Sequence, residues 1–345
     1  MFRQLLPSFA LDPGLTSRTL ILLALAVPVV AQEPALVVVE KKASQVGFYT
    51  SAGERVAGVA VGETPHEMLL DPDGRRLYVT DNGVLWMDYQ GPGGATISIV
   101  DIQARKKAGV IPTSPYRRPH GLSFDPKARR LIVTSENPDS IFLVDPDTRA
   151  VIQAFDNGGK APHIVTFGPD AKWAFASNSN SDTVGAVEIA TGEVTLIDGC
   201  GRPQGGALNA DGSRYYVTCS NSATIQVIDT AARTAVGEIR TGKGVNRIAV
   251  TPDQKTLVYS IGGEGTQLGF ADVATLKETG RVDLGGSPLS CSLSKNGKYA
   301  FAGVQDNDEI YVVSVADRKV IHVIKTPEGH GPDPVMEIGE YKPPR

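Results

Sequence analysis

None of the short signatures of the commonest site chemistries occurs in this chain. There is no GxSxG elbow, no GxxxxGK[ST] loop, no HExxH pair and neither CxxC nor CxxCH. A hydrolase triad on a nucleophile elbow, a P-loop nucleotide site, a zincin site and covalent haem therefore lack local support. An excess of positive charge is absent too. With 34 basic and 38 acidic residues the formal net charge is −4, and such a balance gives no general footing for nucleic-acid binding. Cysteine is scarce, at three residues in 345. Cys200 sits in a loop and Cys219 ends an apolar run of the same segment, so the two are placed to meet, the alternative being three reduced, buried thiols. Cys291 lies in an apolar stretch and reads as buried.

Long apolar runs are missing except at the start. Arg3 and Arg18 precede LILLALAVPVVA (20–31), which closes in Val29-Val30-Ala31. A short apolar segment behind basic residues, ended by small residues, is expected to be a secretory signal peptide over residues 1–31. The expected mature chain, 32–345, is periplasmic or secreted, monomeric and not inserted in a membrane once the leader is removed.

What is abundant is glycine (37), proline (23) and β-branched residues, a composition of short strands and turns. One phrase recurs: PHEMLLDPDGRRLYVTDN from Pro65, PHGLSFDPKARRLIVTSEN from Pro119, PHIVTFGPDAKWAFASNSN from Pro162 and PQGGALNADGSRYYVTCSN from Pro203. Aligning the repeats places His66, His120, His163, Gln204, Asn246, Leu289 and His330 in register, at intervals of 41 to 54 residues. A period near forty with four strands per unit is the pattern of propeller blades. Residues 35–62 supply three strands without a leading one, and 329–339 supply a leading strand with nothing after it. Together they complete a blade, so the expectation is an all-β, seven-bladed β-propeller whose C-terminal strand closes the ring on the N-terminal blade. The first interval is longer because of GVLWMDYQGPGG (83–94), a loop between the second and third strands of its blade that carries Trp86 and Tyr89. A loop of that length in a compact domain is a candidate for function.

The phrases LYVTDN, LIVTSEN and YYVTCSN, with IQVIDTAARTAVGEIRTG, resemble the YVTN-type β-propeller repeat family, including its lactonase-like and exported members. The likeness spans about residues 34–338 and implies the propeller fold. The scaffold hosts lactone hydrolases, metal proteins and modules without chemistry, so activity has to come from the site. Gln204, Asn246 and Leu289 stand where other blades have His, LVYSIGG replaces the usual phrase in one blade, and the Arg/His/Glu arrangement of lactonase-like propellers has no counterpart.

In a propeller the leading loops and the loops between second and third strands open on one face. His66, His120, His163 and His330 are thus expected on a common rim in four consecutive blades. Converging neutral imidazoles suit a transition metal such as Cu or Zn. A lesser role is also open, each ring merely capping a strand or bonding a carbonyl. Arg117, Arg118, Lys160, Arg202, Lys243 and Arg247 fall on the same rim and would orient a small anion, with Gln204, Asn246, Trp86 and Tyr89 as further ligand contacts. Acidic and amide residues of the other loops, among them Asp81, Asn82, Glu136 and Asn178, are ligands, bases or turn caps. Two functions stand open: a binding propeller for a small anion or a periplasmic or extracellular protein, or a metal-dependent or lactonase-like enzyme at the same rim. His322, in KVIHVIK, is expected to be structural.

Overall fold

In the computed structural model, residues 33–344 are described. The signal peptide expected over 1–31 lies outside the described residues. The described chain forms seven four-stranded antiparallel sheets, and the ring closes as the repeat count requires. β1 (Leu36–Glu40), β2 (Gln45–Tyr49) and β3 (Arg55–Ala60) take the last strand of the chain, β28 (Pro332–Glu337), as their innermost partner, in the order β28-β1-β2-β3. The other six blades follow in sequence. Their innermost strands are β4 (Pro65–Leu70), β8 (Arg117–Asp125), β12 (Pro162–Phe167), β16 (Pro203–Leu208), β20 (Val245–Val250) and the short β24 (Ser292–Leu293).

The core lies between blades. Second and third strands such as β17 (Arg214–Cys219) and β18 (Thr224–Asp229) are buried along both faces, which is why they read as near-continuous apolar runs. Seven apolar clusters, one per pair of adjacent sheets, result; the one that seals the ring packs Leu36 and Val38 of blade one against Phe301, Ile310 and Val312 of blade seven.

The repeated Thr of the VT phrase explains how blades are tied near the axis. In blades two to six the pairing of first and second strands skips residues, for instance from Pro119↔Ser135 to Leu122↔Val133. Such a bulge leaves backbone groups unpaired and re-aims the side chains there. The freed amide of Gly121 donates to Thr134 Oγ1 (2.8 Å), and that hydroxyl donates on to His163 O of the next blade (3.0 Å). Thr80 does the same for Glu67 N and His120 O, and Thr218 for Gly205 N and Asn246 O. Blade four carries Ser177, whose hydroxyl is unpartnered; there the His163 ring reaches the next blade instead. The close approach demands glycine in places: a Cβ on Gly121 would lie 2.6 Å from His163 O, and one on Gly205 2.4 Å from Asn246 O.

Cys200 and Cys219 are joined in a disulfide that fixes the loop leading into β16 to the end of β17. Cys291 is a free thiol, half-buried just before β24.

Replacing the tie in one blade tests its weight. Thr134→Val leaves a buried amide and a buried carbonyl without their partner and is expected to lower unfolding free energy by about 1–3 kcal/mol. The exposed outer-strand control Thr234→Val should change it by less than about 0.5 kcal/mol. Urea melts that show equal, small effects for the two variants would remove the tie as a stabilising element.

Candidate functional site at the axial chamber

Because the bulge follows the leading proline, the next residue of each inner strand is turned toward the axis. Three imidazoles meet there. The His66 and His120 ring centroids are 4.5 Å apart and those of His120 and His163 4.0 Å. Each ring turns Nδ1 to an oxygen: His66 to Thr64 O (3.3 Å), His120 to Glu136 Oε1 (2.8 Å) and His163 to Gln204 O (3.3 Å). A carbonyl only accepts, so in the neutral rings of His66 and His163 Nδ1 carries the proton and Nε2 offers a lone pair, and His120 does the same when Glu136 is ionised. Burial holds all three rings well below the usual imidazole pKa, reinforced by the nearby cations Lys41 and Arg247. They are neutral at pH 7. Nε2 of His66 and of His163 makes no hydrogen bond among the described residues, and that of His120 has Arg247 Nη2 at 3.5 Å.

His330 does not join this group. The residue that follows the leading proline of blade one is Asp333, not His330; alignment on the histidine instead of on Pro332 shifted the register by three positions. Asp333 faces the chamber, while His330 sits in the preceding loop with Nδ1 at 2.9 Å from Glu40 Oε2. Glu40 is also gripped by Arg55 and Tyr49, so His330 helps to clasp the closing strand. His322 bonds Tyr341 Oη at 2.8 Å on an outer strand, away from the axis.

The imidazoles line a chamber of about 220 Å³ together with Gln204, Asn246, Arg202, Leu289 and Asp333. At ~30 Å³ per water this holds about seven waters or one small organic molecule. Below it Arg247 of blade six reaches Glu67 of blade two through Nε (3.0 Å) and Nη2, while its Nη1 donates to Asn246 Oδ1 (2.7 Å). This pair bars the axis. A second cavity of about 200 Å³ continues beneath it and includes Cys291, whose thiol burial pushes up to about 12. Burial also raises the Glu67 carboxyl, against the pull of Arg247.

Lys41, one residue past β1, was not among the residues the sequence pointed to. It is 5% exposed and lines the chamber. Its nearest carboxylate, Asp333 Oδ2, stands at 3.6 Å, too far for a good hydrogen bond, and its Nζ makes none among the described residues. Burial lowers its pKa, Asp333 works against that and Arg247 adds to it. The sequence signal for Lys41 was slight: a lysine after four buried apolar residues, at the strand end that faces the rim.

The inserted loop after β5 (Arg76–Asp81) lies over the chamber. Leu85, Trp86, Met87 and Asp88 line it, and the Trp86 ring centroid is 5.7 Å from Lys41 Nζ. Tyr89 is different: its ring is exposed, and its backbone carbonyl, with those of Met87 and Gly91, accepts from the Arg118 guanidinium. Arg117 donates to Gly93 O. Arg118 thus pins the loop rather than lining the chamber, and Glu136 links it to the histidines, with Oε2 at 3.7 Å from Arg118 Nη1 and Oε1 on His120. Lys160 pairs with Asp139 at the surface. Asp81 caps Gly62 N, Thr96 and Ser98, and Asn178 bonds Asn157, both structural duties.

For a metal, unprotonated Nε2 atoms with anchored Nδ1–H groups are the right donors. Their placement is not closed: among the described residues no group of three or more His, Cys, Asp or Glu side chains is arranged to hold a metal ion.

No family model and no curated protein matches the chain. Solved structures do, at the level of fold. A functionally unknown protein from Desulfotomaculum acetoxidans DSM 771 superposes with a TM-score of 0.74 at 15% identity, over 88% of this chain and 99% of that one. The dihydro-heme d1 dehydrogenase NirN in complex with DHE gives 0.64 at 16% identity, over 89% and 75%. Kuenenia stuttgartiensis hydrazine synthase gives 0.62 at 16%, over 76% and 86%. The chain is a seven-bladed β-propeller with structural neighbours among enzymes.

Two measurements follow from the electrostatics and the pinned loop. The folded pKa of His163 is depressed below the unfolded value of 6.5, so the neutral ring contributes stability that is full above 6.5 and is lost as pH falls through it. Glu136, pushed up to about 7 by burial, acts in the opposite sense between about 7 and 4.5. A comparison with His163→Gln isolates the imidazole: the melting-temperature advantage of the wild type should shrink from about pH 7.5 to about pH 5.5. A constant gap would contradict a neutral buried ring. For the loop, Arg118→Ala should speed limited proteolysis within 84–92 by about tenfold or more, equivalent to ~1.4 kcal/mol of local opening. Unchanged cleavage would mean that the loop is held by something else.

Proposed function

We propose that this chain is an exported propeller that binds a small organic anion in the axial chamber, under the 83–94 loop. The observation that carries the reading is Lys41, a buried amine without a hydrogen bond, facing a space fit for one small molecule. An amine whose one carboxylate neighbour stands at 3.6 Å keeps its donors available for a ligand in that space. Arg202 lines the same space and its guanidinium has no ion-pair partner among the described residues. The lone pairs on Nε2 of His66 and His163 add acceptors, so the preferred ligand carries a carboxylate for the cations and a hydroxyl or similar donor for the imidazoles. Export rests on the apolar leader and on the disulfide, which belongs in an oxidising compartment. The repeat phrases resemble those of the exported YVTN-type propellers, which supports the same reading. No catalytic step is required by this reading.

A second reading has one observation in its favour: with Nδ1 of His66, His120 and His163 each turned to an oxygen, Nε2 is free in His66 and His163, and held only by the 3.5 Å contact with Arg247 in His120, for a transition metal such as Cu or Zn. Small movements of the rings would have to bring the three donors to one point.

Calorimetric titration separates the two. Lactate, as a hydroxy-acid probe, should bind the metal-free mature protein, and Lys41→Met or Arg202→Ala should weaken it at least about tenfold, or ~1.4 kcal/mol. Metal retained by the purified protein and lost in His120→Ala, with no binding of lactate to metal-free protein, would favour the metal reading and set the first aside.

A further inference from the structure

Lys41 has more to offer than charge. Its amine lies among groups that carbonyl chemistry can use: a carboxylate (Asp333, 3.6 Å), imidazole Nε2 atoms that accept hydrogen bonds, and a loop whose Trp86 ring stands 5.7 Å from the amine. Lysines whose amine is buried, and so carries its charge less readily, are the ones that condense with carbonyl compounds. The remaining lining places Arg202 of blade five on the side of the axis away from Lys41 of blade one, suited to a carboxylate on the same small ligand.

We propose that Lys41 forms a Schiff base with a small oxo-acid, an aldehyde or ketone carrying a carboxylate, held in the axial chamber. This rests on the anion-binding reading above and narrows its ligand class. Lys41 Nζ, after giving one proton to Asp333, adds its lone pair to the carbonyl carbon as the C=O π pair moves to oxygen. The oxygen takes up that proton, giving a carbinolamine. A second proton transfer from nitrogen to the hydroxyl lets the C–O bond break and water leave, while the nitrogen lone pair forms the C=N bond. Overall an ammonium and a carbonyl become a protonated imine and water, with no oxidant or reductant. Burial, which lowers the Lys41 pKa, supplies more of the neutral amine that attacks, while Asp333 and Glu67 oppose this and Arg247 supports it.

The matched probes are pyruvate and lactate, which differ in the carbonyl. Mature protein is incubated with pyruvate and cyanoborohydride, then analysed by intact mass and peptide mapping. One saturable equivalent of reduced adduct is expected on Lys41. Excess lactate should suppress it, Arg202→Ala should raise the pyruvate concentration for half-saturation about tenfold, and Lys41→Arg should abolish it. Lys42→Arg should leave it unchanged, since Lys42 is exposed and paired with Asp306 at 2.9 Å. The map of the wild-type protein decides the matter even if a variant at position 41 folds poorly. Pyruvate and lactate that both bind by calorimetry, with no adduct or with adducts spread over surface lysines, would overturn the Schiff base and leave anion binding standing. Absence of both binding and adduct would overturn both.

Discussion

A hydroxyl at one repeated position ties three pairs of neighbouring blades near the axis. The Thr of each VT phrase accepts the amide that a bulge has freed in its own blade and donates to a carbonyl of the next. The bond is short-range, yet two larger features depend on it. At these three junctions it joins the inner edges of adjacent sheets, and it satisfies the amide freed by the bulge that swings the residue after the leading proline into the channel, a bulge blade four keeps with Ser177 in place of Thr. Propellers otherwise hold together by apolar packing between sheets, which is non-directional. Direction near the axis comes from the ties.

The chamber inherits its chemistry from that arrangement. Rings brought within 4.5 Å of one another, each with Nδ1 against a fixed oxygen, have no room for a second proton. The floor is closed by Arg247 and Glu67 from blades six and two, a link made only when the ring is complete. Two chamber cations are incompletely matched: Lys41 has Asp333 in range of attraction but beyond a good hydrogen bond, and Arg202 has no ion-pair partner among the described residues. A group so placed is the natural contact for something else. The roof is the one long insertion, held by a guanidinium on backbone carbonyls, and its Trp86 ring faces the same amine.

Blade number, ring closure and the inserted loop were legible in the sequence because each depends on periodicity, which survives in any one chain. The strands of the 203–241 unit break where the sequence carries turn residues such as Asp211-Gly212. The convergence of His66, His120 and His163 followed from the repeat register. His330 did not, because similarity of residue type outweighed position: Pro332, the true counterpart of Pro65, leads to Asp333. Lys41 and Glu67 were missed since neither stands at the repeated position; their roles arise from contacts between distant blades, such as Glu67 with Arg247, which no local pattern records. Arg118 was placed on the correct face but given the wrong task, its partners being backbone carbonyls of the loop and invisible to residue type.

Nitrogen-15 NMR of the histidine side chains tests the central claim, that the inter-blade ties present unprotonated Nε2 atoms and a buried amine to one chamber. Long-range proton–nitrogen correlation at pH 7 should show His66, His120 and His163 as neutral Nδ1–H tautomers, with the Nε2 signals shifting when an oxo-acid such as pyruvate is added. Imidazolium signals, or Nε2–H tautomers indifferent to the probe, would contradict the account.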